Sequence, residues 1–175
     1  MKSAGETLAL MLVFLACLGI ATIPAKSAGN PLGTYVGKFS GKGTIRRHPD
    51  EPKETVRCRI SATLSADGNT LSQNGTCVVP GSKVAVDSEL TYNPANGRVV
   101  GRWTDVANGS TAGVSGKGDS QIVNLTIVGT DQQTGESRTL WMTLQPTKNG
   151  YLLITRSPKP NAGGRFVSGE IRFTK

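Results

Sequence analysis

His48 is the only histidine of the 175-residue chain, and it sits in Arg-Arg-His-Pro-Asp-Glu-Pro, a polar stretch broken by proline. Catalysis of the Ser-His-Asp type needs an imidazole clamped between a nucleophile and a carboxylate. His48, with Asp50 two residues on, fits a solvated loop better. Asp87 and Glu89 are the best-spaced carboxylates for acid–base hydrolysis. A spacing of two puts them on one face of a strand, and the apolar residues around them mark that face as the wet one. One histidine and the two cysteines Cys58 and Cys77 fall short of an ordinary zinc site. There is no Walker-type loop, no Gly-x-Ser-x-Gly elbow and no dinucleotide fingerprint. The chemistry-bearing residues thus point to binding without a cofactor or catalysis, with a hydrolase as the remaining alternative.

The cysteines carry a sharper message. Val56, Cys58, Ile60, Ala62 and Leu64 share one face of an alternating stretch, 55–65, opposite Arg57, Arg59, Ser61 and Thr63. That is a half-buried strand. Asp67-Gly68 follows, a type I′ hairpin signal that needs positive φ at both positions. A two-residue loop there sets Leu64 opposite Leu71 and Cys58 opposite Cys77. Directly opposed residues lie within reach of a disulfide.

The rest of the chain repeats this pattern. Strands are expected at 34–46, 70–79, 83–92, 98–104, 110–116, 120–129, 138–145, 151–156 and 165–173, with turns at Asn96-Gly97, Asn108-Gly109, Lys117-Gly118 and Asn149-Gly150. Short strands at regular spacing leave no room for crossover helices. The fold class is all-β: a single antiparallel meander barrel of eight to ten strands with one disulfide, or alternatively a two-sheet sandwich. Sequential hairpins and strand glycines favour the barrel. The stretch from Asn30 to Phe39 echoes Asn93 to Trp103, as a duplicated half-barrel or as a chance likeness of Gly-rich strands.

The N-terminus has its own character. Leu8 to Ile23 is uncharged and apolar, Pro24 follows, and Ala25 and Ser27 stand at the −3 and −1 positions of a cut. Residues 1–27 therefore read as a signal peptide and 28–175 as the domain, periplasmic or secreted. An uncleaved anchor, or a lipoprotein processed at Cys17, are the rivals. The run is shorter than a transmembrane helix needs. After cleavage no integral membrane segment is expected. The total charge of +8 becomes +7 on loss of Lys2, Glu6 and Lys26. That balance suits anionic partners; export and few aromatics argue against nucleic acid.

Two groups of residues are candidate binding sites. Tyr35, Phe39, Tyr92, Trp103 and Tyr151 fall on the inward parity and would line the mouth of a barrel holding one small apolar ligand. A core filled solid by side chains is the competing expectation, and aromatics at only 5% of the chain tip the balance towards it. Lys38, Lys42, Arg46, Arg57 and Arg59 fall on the outward parity of two neighbouring strands, forming either a wall for an anionic envelope component or an ordinary solvated exterior.

The hairpin Cys58-x-Ile60-x-Ala62-x-Leu64, Ala66-Asp67-Gly68, Leu71 and Gly75-Thr76-Cys77 resembles that of small bacterial envelope barrels of avidin-like or lipocalin-like type, including periplasmic inhibitors of serralysin-type metalloproteases. The resemblance covers about 25 residues, and the tryptophan of that family's first strand is replaced here by Tyr35 and Phe39. It implies a barrel whose mature N-terminal segment, matching Ala28 to Gly33, enters a protease cleft. The expected function is an exported, non-enzymatic binding protein for a small apolar ligand or an anionic envelope component. A protein–protein module such as a protease inhibitor is the alternative.

Overall fold

The computed structural model describes residues 29–106, 109–130, 134–161 and 163–175. The expected signal peptide and its cleavage site lie outside the described residues, as does Asn108 of one expected turn.

Ten strands form one closed antiparallel barrel: β1 (Gly37–Ile45), β2 (Glu54–Leu64), β3 (Thr70–Val79), β4 (Ser82–Asn93), β5 (Arg98–Asp105), β6 (Ser110–Gly118), β7 (Val123–Thr130), β8 (Ser137–Thr147), β9 (Gly150–Pro158) and β10 (Arg165–Thr174). Each strand pairs with its successor, and β1 pairs with β10 to close the ring. Closure leaves no unpaired edge to template aggregation. Parity decides which side chains face in. Phe39, Val56, Ile60, Leu90, Val99, Val114, Leu125, Leu144 and Ile171 are buried, while Lys38, Lys42, Arg57, Arg59 and Glu89 alternate with them outside. This polarity is the reverse of a membrane barrel, whose outer band is apolar. No helix among the described residues is long and apolar enough to cross a membrane.

The ends of the barrel differ. One is stoppered by a short 3-10 helix, Pro31–Tyr35. Asn30 caps it by accepting a hydrogen bond from the Leu32 amide at 2.9 Å, and Pro31 supplies a pre-set φ where no amide donor is needed. The Asn30 amide also donates to the Gly68 carbonyl in the β2–β3 turn. Leu32 and Tyr35 are fully buried, and the Tyr35 hydroxyl donates to the Leu144 carbonyl at 3.1 Å. Strand β1 therefore begins at Gly37, later than the expected 34–46: Asn30-Pro31 nucleates a helical turn before the sheet starts.

Cys58 and Cys77 are bonded, with Cα atoms 4.0 Å apart in the expected register. The turn that sets the register is not type I′. Gly68 alone of the pair has positive φ, 73°. The Ser65 amide donates to Thr70 O at 2.8 Å and the Gly68 amide to Ser65 O at 2.9 Å, closing a four-residue loop, 66–69. The Asp67 carboxylate accepts from the Ser65 hydroxyl and from the Asn69 amide at 3.2 Å. Those bonds, Ser65 foremost, hold its carboxyl below the ordinary carboxylate value. The two loop geometries give the same pairing because lengthening by one residue on each side preserves register. Lys117-Gly118 likewise stays in strand β6, and the chain turns at 119–122, where the Asp119 carboxylate accepts from the Gln121 and Ile122 amides.

Candidate functional site

At the stoppered end the interior is filled. Tyr151 stacks on Phe173 at 4.6 Å and meets Tyr35 and Phe39 edge-on, each at 5.1 Å. Gly41 makes this possible, since a Cβ there would lie 2.5 Å from the Phe173 ring. Burial, and secondarily the Asp119 charge, push the Tyr35 hydroxyl well above its ordinary pKa; burial, then Tyr35, does the same to Tyr151. Both hydroxyls are neutral, and the floor is a buried aromatic layer.

Above this floor the barrel is hollow. The inner chamber has a volume of ≈ 340 Å³ and walls of Val, Leu, Ile and Met, including Val86, Val114, Leu125, Leu140 and Met142. The expectation of a solid core thus holds at the floor and fails above it. Ten strands make a wider ring than eight, and β-branched and Leu side chains do not reach across it. Besides Ser82 and Thr155, the described lining carries a polar step. Gln73, Ser88 and Trp103 sit side by side on β3, β4 and β5, and the Ser88 hydroxyl donates to Gln73 Oε1 at 3.2 Å.

The chamber opens through a neck into a wide vestibule of ≈ 990 Å³ among the loops at the unplugged end. Arg47, Trp103, Ile127 and Leu140 line both spaces and so define the neck. The vestibule adds His48, Arg138, Lys159 and Glu136.

The five aromatics expected at the mouth are all buried or partly buried and face inward, but at different heights. Trp103 stands at the neck, and Tyr151 lines the chamber from its floor. Tyr35 and Phe39 belong to the floor packing, and Tyr92 is buried in the wall of β4, paired with Val99. None of these four reaches the mouth, because parity fixes a face and not a height along the axis. Phe173, Leu140, Met142, Gln73, Ser88 and Arg47 are site residues that the candidate set lacks. Gln73 and Ser88 could have been found as polar residues at inward parity.

The outward cations form a continuous surface. Lys42 is flanked in register by Arg57 on β2 and by Arg172 on β10. Lys38 and Arg59 extend it towards the plugged end. Among the described residues none of these five has a hydrogen-bond or ion-pair partner from its side chain. Arg46 differs: its guanidinium donates to Val167 O at 3.0 Å and to Pro49 O at 2.6 Å, pinning the β1–β2 loop to β10. The candidate catalytic groups are scattered. His48 is exposed in the vestibule, Asp87 is exposed on the outer wall, and Glu89 pairs with Arg102 at 3.3 Å. Among the described residues no cluster of three or more His, Cys, Asp or Glu side chains could hold a metal.

No protein-family model matches the chain, and no curated protein shows significant similarity to it; the fold and the geometry of the chamber carry the functional reading alone.

Proposed function

We propose that this chain is an exported, non-enzymatic binding protein that holds a small apolar ligand inside its barrel. The observation that carries this is the hollow interior: an apolar chamber of ≈ 340 Å³, closed below by an aromatic floor and open above through a neck. Ligand pockets of this kind run from about 300 to 1,000 Å³ with mostly apolar walls and a few polar groups. A water-sized group takes roughly 30 Å³, so the chamber admits roughly ten to twelve heavy atoms. The disulfide supports export, since such bonds persist in oxidising compartments.

A second reading, contact with an anionic component of the envelope, rests on the row Arg172, Lys42 and Arg57. The protease-inhibitor alternative needs a free N-terminal arm. Pro31 and Leu32 of the matching segment are instead buried in the plug, which gives that alternative little support.

The test is binding of 1-decanol, followed by calorimetry, to the wild type and to Val114→Phe, which adds bulk at the centre of the chamber. The wild type should bind and the variant should lose most of its affinity while keeping its near-ultraviolet circular dichroism. Absence of binding, or binding unaffected by Val114→Phe, overturns the proposal.

A further inference from the structure

The chamber is chemically graded along the barrel axis. Its floor is aromatic and uncharged. Its walls are mainly aliphatic, with the Gln73–Ser88–Trp103 step, Ser82 and Thr155 as uncharged polar positions. Among the described residues that line the chamber, Arg47 alone carries a charge, and it also stands at the neck. Beyond the neck the described residues that line the vestibule include Arg138, Lys159, His48 and Glu136.

Arg47 is held where it can act. Its neighbour Arg46 spends its guanidinium on two backbone carbonyls, fixing the loop to β10. Arg47 itself has no hydrogen-bond or ion-pair partner among the described residues. A guanidinium offers a planar fork that matches a carboxylate with two parallel hydrogen bonds. Arg47 is exposed at the neck, so an incoming acid head can reach it from the vestibule.

We propose that the ligand is an acid-headed, single-chain amphiphile, a medium-chain carboxylate, whose tail fills the chamber and whose carboxylate is held by Arg47 at the neck. This rests on the reading of the barrel as an apolar-ligand binder. An apolar tail satisfies the walls, and the acidic head meets the Arg47 guanidinium. A tail of about ten carbons matches the roughly ten to twelve heavy atoms that the chamber admits at roughly 30 Å³ each.

The experiment compares decanoate, 1-decanol and decylamine by calorimetry at pH 8 and low salt, with the wild type and Arg47→Gln. Circular dichroism verifies the fold of the variant. A hydrogen bond to a charged group is worth about tenfold or more in affinity. Decanoate should therefore bind at least about tenfold more tightly than decanol, and decylamine more weakly than either. In Arg47→Gln the ratio of decanoate to decanol affinity should fall to about one. If decanol binds and decanoate binds no better, the acid-head proposal falls and the apolar-chamber reading stands. If none of the three binds, both fall. If the preference survives in Arg47→Gln, the assignment to Arg47 is wrong. A variant that has lost its fold is replaced by Arg47→Lys. That substitution keeps the charge and removes the fork, and an unchanged decanoate affinity would then refute bidentate recognition.

Discussion

Breaking the Cys58–Cys77 bond tests how the barrel is stabilised. The two residues are already directly opposed in a register held by backbone bonds on both sides, so the folded protein needs the covalent link least. The effect should lie in the unfolded chain. The bond closes a loop with a sequence separation of 19, which in the chain-entropy model restricts the unfolded ensemble by about 3 kcal/mol. For a domain of this size that corresponds to a fall in Tm of about 6–12 °C. The assay is urea unfolding of the oxidised wild type, the reduced wild type and the Cys58→Ala/Cys77→Ala double variant. Reduction alone isolates the link. The double variant adds the loss of packing at Cys58, which is buried at 3% exposure. The m-value should rise in both, because an unlinked chain exposes more surface on unfolding. A loss under about 1 kcal/mol with an unchanged m-value would refute the entropic account. It would mean that the β2–β3 hairpin stays closed in the unfolded chain without the bond.

Two further perturbations address the plug and the outer wall. Leu32→Ala removes a fully buried side chain from the stopper and should cost about 2–5 kcal/mol; a smaller loss in thermal or urea unfolding would show that the 3-10 helix is an appendage to the barrel. Sedimentation with phosphatidylglycerol vesicles should be abolished by Lys42→Glu/Arg57→Glu, and reversed by salt as charges become screened beyond about 8–10 Å near 0.1–0.15 M; salt-resistant binding, or binding unchanged in the variant, would remove the anionic-surface reading.

The sheet was legible because a strand's face is encoded residue by residue. The alternation through Val56, Cys58, Ile60, Ala62 and Leu64 needs no tertiary information, and all ten strands follow from it or from the same pattern elsewhere. Turn conformation was less so. Asp67-Gly68 suits both a two-residue turn and the middle of a four-residue one, and the hydrogen bonds that Asp67 accepts from Ser65 and Asn69 decide between them. The plug was written in Asn30-Pro31, but the inward parity of Tyr35 and Phe39 disguised the helical turn as the start of a strand. The chamber was the least legible feature. Its volume is the difference between the ring that ten strands enclose and the bulk of every inward side chain, a sum that no local pattern holds. Arg47 lay in plain view in the loop, yet its place at the neck depends on Arg46 tethering that loop to a strand more than a hundred residues away.

The pairing of β1 with β10 has a consequence for how the molecule can be handled and attached. Gly29 enters beside the plug, while the Lys175 amide donates to Asn149 O in a turn at that same end, and its side chain reaches over the Phe39 ring. Gly29, the first described residue, and the C-terminal Lys175 thus both lie at the stoppered pole. The backbone is in effect a necklace whose clasp lies opposite the neck. A tether, tag or fused domain joined after Lys175 would hold the barrel upright with its opening facing away from the attachment, and a permuted chain cut in a neck-side loop would invert that orientation.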